Sequence, residues 1–351
     1  MELLKLRSVG LKLILLSLMH LVTDGLCAYL AFSKLYPDNP KMAVLLFFGY
    51  NILAFVTQSP VGIIIDKYNK PKLFLGISII LMILGYVFSN VWFISVIFIG
   101  MSNSIFHVAG GKYVTDKSGN DISHLGIFVS TGAVGLMLGQ RCFSFALMPY
   151  IFFAVLIVSG FIMIFSEDSD TLSYSEFYDG SGSEYALLAV VTVVCIRSFV
   201  GKVVTPDFTL NLPLFALIAL ATALGKAAGG VVSKLVGVRL TTYISMIVAG
   251  VCLTLGCANE FIFILGVFAF NFSMPITLYY ANILLKGNEG FAFGTLAAAL
   301  TPGYFIASMF TYSTALRVCT ALLCIASMLV IIIVSKRINK NANSLTVNHN
   351  N

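Results

Sequence analysis

His20 and Asp24 stand four residues apart in a largely apolar stretch, and Asn103 and His107 repeat that spacing further along the chain. On a helix, residues four apart share a face. A carboxylate beside an imidazole handles protons: the carboxyl binds or releases a proton as burial and nearby charge change, and imidazole titrates near neutrality. Arg197 adds a fixed cation, suited to neutralising Asp24 or to gripping an anion through its planar fork. Asn271, and Thr277 beyond Pro275, add uncharged hydrogen-bonding groups. Plainer roles fit the same residues. Asp24 and Arg197 could form a structural ion pair, His107 could bond a backbone carbonyl, and Asn103 and Asn271 could be interhelical glue.

The elements that must position these groups are membrane spans. The chain has 351 residues, of which 59% are hydrophobic and 10% charged, and its mean hydropathy is +0.97. A soluble domain of that length needs far more polar surface. Apolar runs long enough to cross a bilayer recur throughout. They predict about twelve helices, over 11–33, 42–64, 73–89, 92–113, 123–145, 147–166, 185–205, 211–234, 240–257, 261–284, 290–310 and 313–335. The loops are too short for a soluble catalytic domain. The first run has a basic lead (Lys5, Arg7, Lys12) like that of a signal peptide. With His20 and Asp24 in its core and no small-x-small site, it is expected to remain as an uncleaved helix.

The polar groups fall on particular spans. Asp24 lies about twelve residues into the first run and Arg197 about thirteen into the seventh, so at 1.5 Å rise per residue both reach the midplane. Asn103 and His107 are on the fourth span, and Asn271 and Thr277 on the tenth. The third, sixth and ninth spans are nearly featureless, as lipid-facing supports would be. An ionisable group at that depth is costly and marks a functional site by default.

Between the second and third runs the chain reads Gly62-Ile-Ile-Ile-Asp66-Lys67-Tyr68-Asn69-Lys70-Pro71-Lys72, a charged hairpin on one membrane face. A weaker echo follows the eighth run: Gly229-Gly230-Val-Val-Ser233-Lys234-Leu-Val-Gly237-Val-Arg239, with Ser233 in place of the Asp. Parallel repeats of this kind build two-bundle transporters. With an even number of spans, both termini share the hairpin's side. Lys5, Arg7, Lys12, Lys67, Lys70, Lys72, Lys112, Lys117, Lys226, Lys234, Arg239, Lys286, Lys336, Arg337 and Lys340 are assigned there. The other side and the span interiors hold only Lys34, Lys41, Arg141, Arg197, Lys202 and Arg317. The positive-inside rule therefore places both termini in the cytoplasm. The net charge of +6 reflects this bias and does not point to nucleic acid.

The expected domains are a six-helix bundle over 1–166, an acidic cytoplasmic linker over 167–184, a second bundle over 185–338 and a disordered tail over 339–351. The linker, EDSDTLSYSEFYDGSGSE, has six acidic residues and no Lys or Arg. The seven cysteines all fall in predicted spans, form no CxxC and read as small buried apolar residues. No clustered His or Cys is visible in the sequence, so no metal site is expected. Gly132, Gly135 and Gly139 in the fifth span let a neighbouring helix approach closely.

The hairpin Gly62 to Lys72 resembles the signature loop of the major facilitator superfamily, with Gly62, Asp66, Lys67 and Lys72 matching and Asn69 replacing a Gly. His20-Leu-Val-Thr-Asp24, Asp66-Lys67-Tyr68 with Pro71, Ser104-Ile-Phe106-His107 and Gly132-x-x-Gly135-x-x-x-Gly139 resemble the fosmidomycin-resistance branch. In this chain Val108 replaces a Pro after the His, and Gln140 replaces a Pro after the glycine motif. The resemblance implies an all-α polytopic membrane protein, two six-helix bundles around a central cavity that opens alternately to each side.

The expected activity is proton-coupled export of a small amphiphilic or anionic compound, a drug or metabolite, from the cell (inner or plasma) membrane. This is an efflux antiporter's role in drug resistance. It would be powered by the proton gradient, without a bound cofactor, in a protein working as a monomer in the lipid bilayer. Asp24, His20 and His107 would couple protons. Asn103, His107, Arg197, Asn271 and Thr277 would line the cavity. Gly62, Asp66, Lys67, Lys70 and Lys72 would form the cytoplasmic gate. An uptake symporter or facilitator is the alternative, and a membrane-embedded enzyme using His107 as its base a remote one.

Overall fold

The computed structural model describes residues 2–141, 144–167, 183–204, 212–256, 259–310 and 313–348, and these contain helices and no strand. Twelve apolar helices can be numbered along the chain: α1 (Val9–Asp38), α2 (Pro40–Tyr68), α3 (Pro71–Val87), α4 (Trp92–Ser118), α5 (Ile122–Arg141), α6 (Met148–Phe165), α7 (Ser183–Val203), α8 (Leu212–Val236), α9 (Val238–Leu255), α10 (Glu260–Leu284), α11 (Glu289–Ala307) and α12 (Val318–Asn339). All but the shorter α3 reach full spanning length, and the set matches the expected spans one for one. The protein is a multi-pass integral membrane protein.

Local chemistry sets the turns and breaks. Asn69 ends α2 in the left-handed conformation (φ 49°), its N–H bonded to the Ile65 carbonyl at 2.8 Å. Asn tolerates that conformation better than most residues. Pro71 then opens α3 at a position whose N–H would lack a helical partner anyway. Within α10 the helix breaks at Asn271 and Phe272, because Pro275 has no N–H for the Asn271 carbonyl. α11 breaks at Ala299, just ahead of Pro302. In α2 a wider π-type turn, Ile52–Val56, precedes Pro60.

The helices form two six-helix bundles. In the first, α1 packs on α5 and α6, and α3 on α4; in the second, α9 packs on α10 and α12, and α7 on α11. The bundles meet along two flanks, α2 against α11 and α5 against α8. Leu73 and Ile80 of α3, Phe161 and Phe165 of α6, and Ile244 and Val251 of α9 are exposed, as lipid-facing helices require.

The chain end departs from expectation. The last helix runs on to Asn348, where an unstructured tail from 339 is expected. Thr314–Asn348 contains neither Gly nor Pro, so nothing in its backbone chemistry stops the helix. Residues 168–182 of the acidic segment, and 349–351, lie outside the described residues.

Candidate substrate cavity and gate

A cavity of about 430 Å³ lies between the bundles, lined by His20, Asp24 and His107 from the first and Arg197, Lys226, Asn271 and Thr277 from the second. From Asp24 it extends to Leu136 of α5, Gly201 of α7, Ile218 and Thr222 of α8, and Phe263 of α10. Each of these lies toward the helix end remote from the α2–α3 hairpin. The cavity therefore opens toward the face opposite the hairpin.

At its floor, Asp24 Oδ2 is 3.3 Å from His20 Nε2, and Asp24 Oδ1 is 3.6 Å from His107 Nε2. Asn103 Nδ2 donates to Asp24 Oδ1 at 3.0 Å. His20 Nδ1 lies 2.8 Å from the Phe128 carbonyl and His107 Nδ1 2.9 Å from the Asn103 carbonyl. A carbonyl only accepts, so each ring carries its proton on Nδ1 and donates it there. The two Nε2 atoms then face each other at 2.9 Å as lone-pair donors. The stripe on α5 makes this geometry possible. A Cβ at Gly132 would overlap Asp24 Oδ2 and His20 Nε2, one at Gly135 the Leu21 carbonyl, and one at Gly139 the Gly25 carbonyl.

Several expected cavity residues sit differently. Asn103 is buried behind Asp24 and does not line the cavity; its place on α4 points it at α1, where it orients the carboxylate. Arg197 makes no contact with Asp24: its Nη1 is 2.8 Å from Met274 Sδ, and its buried Nε has no hydrogen-bond partner. Asn271 and Thr277 line the cavity but donate to carbonyls of their own helix, at 2.8 Å to Val267 and 2.9 Å to Met274.

Lys226 corrects the sequence assignment. Counted there among the cations of the hairpin face, it lines the cavity with Arg197. It sits ten residues before the end of α8 (Val236 against Lys226), about 15 Å at 1.5 Å per residue. That depth was available from the run's own boundaries. The absence of clustered metal ligands also holds only along the sequence, because the fold brings His20, Asp24 and His107 to within 4.8 Å of one another.

The hairpin face is closed by contacts between the bundles. Asp66 accepts the backbone N–H groups of Gly290 (2.9 Å) and Phe291 (2.7 Å) in the first turn of α11. Gly62 lets α2 approach so closely that a Cβ there would overlap the Gly290 carbonyl. Lys112, also counted among the surface cations, is buried, with Glu289 at 3.1 Å and Asp66 and Asp116 at 3.3 Å. Its i,i+4 spacing to Asp116 was visible in sequence; its distant partners were not. Asn282 of α10 donates to Asn120 Oδ1 at 2.9 Å. Lys67 and Lys70 are exposed on this face, and Lys72 donates to the Ser166 carbonyl at 2.5 Å within its own bundle.

Asp121, in the turn between α4 and α5, pairs with Lys234 at the end of α8. Burial alone would raise its pKa. Hydrogen bonds from His124, Lys234 and Ser123 outweigh that and hold the carboxyl well below the usual carboxylate range.

No protein-family model matches this sequence, and no curated protein matches it. Solved structures do. The E. coli fucose:proton symporter FucP is similar at 11% identity and TM-score 0.68, covering 94% of this chain and 99% of its own. The human organic anion transporter MFSD10 (TETRAN) is similar at 13% and 0.69, covering 93% and 99%. A bacterial homologue of the iron transporter ferroportin, in an outward-facing state, is similar at 15% and 0.61, covering 93% and 99%. The chain has the major facilitator fold, along essentially its whole length.

Proposed function

We propose that the protein is a proton-coupled secondary transporter that works by alternating access, moving a small amphiphilic or anionic compound out of the cell. One observation carries this reading. Asp24, His20 and His107, three titratable groups in mutual contact, form the floor of a cavity whose other wall presents Arg197 and Lys226. The trio can take up or release a proton, and the two cations suit an anionic group of the cargo. A cavity closed at the hairpin face and open opposite corresponds to one end of the transport cycle.

In this reading the membrane is the inner or plasma membrane and the hairpin face and both termini are cytoplasmic, which the cation bias supports. The state described is then outward-open. Export rests on the resemblance of the α1, α4 and α5 motifs to the fosmidomycin-resistance branch, and we assign the chain there on those motifs. In this reading the working unit is the monomer, which a cavity lined by residues of both bundles of one chain supports. An uptake symporter uses the same parts.

Reconstitution decides. In liposomes of known orientation with an imposed proton gradient, candidate drugs and organic anions are expected to move against the proton flux, and Asp24→Asn to abolish that coupled movement while exchange persists. Movement with the protons would establish symport. Full gradient-driven transport by Asp24→Asn would remove the trio from the mechanism.

A further inference from the structure

The trio has a property that proton transfer alone does not require. Both imidazoles are anchored the same way, Nδ1–H to a backbone carbonyl at 2.8 and 2.9 Å, so both Nε2 lone pairs are turned to one point. Fixing a ring through its far nitrogen is how proteins prepare histidines as metal ligands. The third group at that point is a carboxylate, itself oriented by Asn103. A proton shared between the rings would satisfy the 2.9 Å contact but leave the carboxylate oxygens 3.3 and 3.6 Å from the ring nitrogens. Those separations are long for a charge-assisted hydrogen bond. A metal ion would take all three groups together. Ligands about 2.0–2.1 Å from a tetrahedral zinc ion lie about 3.3–3.4 Å from each other. Here the two Nε2 atoms are 2.9 Å apart and each ring has one oxygen of the carboxylate near that range, Oδ2 at 3.3 Å from His20 and Oδ1 at 3.6 Å from His107, with one ligand atom from each residue within 4.8 Å of the others.

We propose that His20, Asp24 and His107 form a three-ligand site for a single late first-row divalent metal ion of the zinc class. Two imidazoles and one carboxylate suit that class. The ligands come from α1 and α4 only, so the site lies within one bundle and does not depend on transport direction or proton coupling. It sits on the cavity floor, leaving a fourth position open on the cavity side for water or an anionic ligand. Arg197 and Lys226 share the cavity and would repel a bare dication, so an anion at the fourth position belongs to the loaded state.

The test uses the full chain in nanodiscs, free of affinity histidines, with no gradient. Cobalt(II) is titrated and its visible absorption followed, and zinc is then added as competitor in the presence of a carboxylate anion. The expected result is one cobalt per chain, with the intense spectrum of four- or five-coordinate ion, displaced stoichiometrically by zinc. His20→Ala, His107→Ala and Asp24→Asn are each expected to weaken binding on the order of 100-fold or more, beyond the roughly 10–100-fold that follows loss of an outer-shell partner. Arg197→Gln is expected to keep the one-to-one stoichiometry. His107→Asp is expected to retain binding with an altered spectrum, which separates ligand loss from misfolding. Folding of each variant is checked by size exclusion and thermal midpoint. A folded parent that leaves cobalt with its free-ion spectrum, meaning that the trio binds protons only, would overturn the assignment. So would a folded His107→Asp that binds no better than His107→Ala.

Discussion

Asp66 Oδ1 accepts the backbone N–H of Gly290 at 2.9 Å, so a carboxylate of one bundle caps the first turn of a helix in the other. Its second oxygen takes the N–H of Phe291. Anions are favoured at helix N-termini by the unpaired N–H groups and the dipole. In Asp66→Asn one side-chain position must present an amide NH₂ where a backbone donor already points. At least one charge-assisted bond is lost, about 1.5–3 kcal/mol. As about 1.4 kcal/mol is a tenfold change in a two-state ratio, the closed-to-open ratio at this face is expected to fall about tenfold or more. Spin-label distances between α2 and α11 across the hairpin face should broaden toward an open population. An unchanged distribution would leave the hairpin as a topology determinant alone.

Asp121 and Lys234 make a second, more exposed closure, with 17% and 55% of their side-chain surfaces accessible. The Asp121 carboxyl lies lower in the closed form than its ordinary value near 3.9. Its contribution to closure is therefore fully present above about pH 4 and lost only as the pH falls through the lowered value. This contact is expected to hold unchanged between pH 5 and 8, and to weaken with salt because Lys234 is solvated. Asp121→Asn is expected to shift the closed-to-open ratio by about 0.2–1 kcal/mol. If closure measured at engineered surface cysteines loosens between pH 8 and pH 5 in the parent but not in Asp121→Asn, this account of the contact fails.

Much of this arrangement is legible in the chain because membrane burial writes itself into composition. Twelve apolar runs become twelve helices, and the four-residue spacings His20–Asp24 and Asn103–His107 place each pair on one helix face. Three-dimensional proximity is not written that way. Nothing in sequence tells that the faces of α1 and α4 turn toward each other, so the contact between His20 and His107 appears only with the fold. Lys112 and Lys226 escape for different reasons. Lys112, near its run's end, counts equally well as a topology signal or as a buried ion, and only its partner Glu289 decides. The depth of Lys226 was readable from its position in α8, and only the cavity it lines appears with the fold.

Gly132 tests how tightly the trio is built. A methyl group there would overlap both Asp24 and His20, whereas at Gly10 nothing lies within 4 Å of the added carbon. Gly132→Ala is expected to destabilise by about 1–3 kcal/mol through overpacking and to abolish coupled transport. Gly10→Ala, which replaces a helical glycine, is expected to be neutral or stabilising by up to about 1 kcal/mol. Thermal midpoints in detergent compare the two directly. Equal midpoints would mean that α1 and α5 are less closely packed than described.

Lys112 is held between Asp66, Asp116 and Glu289. Lys112→Met leaves three carboxylates around an apolar side chain, and breaking a buried pair this way costs about 3–5 kcal/mol. The double variant Lys112→Met with Glu289→Gln removes one of the stranded charges and is expected to recover part of that loss. A double-mutant cycle on the thermal unfolding of the detergent-solubilised protein reads the coupling directly. Strict additivity of the two single variants would mean that Lys112 and Glu289 do not interact across the bundle interface.

Arg197 presents a buried Nε with no hydrogen-bond partner and contacts the sulfur of Met274 rather than a carboxylate. A buried donor left unpaired is unfavourable, so a cargo anion reaching it supplies what the resting cavity lacks. Lysine keeps the charge but cannot reproduce the two-pronged geometry. In Arg197→Lys the loss of one charge-assisted bond, about 1.5–3 kcal/mol, corresponds to about a 10- to 100-fold fall in transport efficiency for an anionic cargo, carried mainly by KM. A neutral amphiphile of the same size is expected to be moved as before, since it makes no such bond. Transport kinetics of a matched carboxylate and carboxamide pair, in the parent and in Arg197→Lys, separate these outcomes. Equal losses for both compounds would show that Arg197 supports the cavity wall and does not read charge.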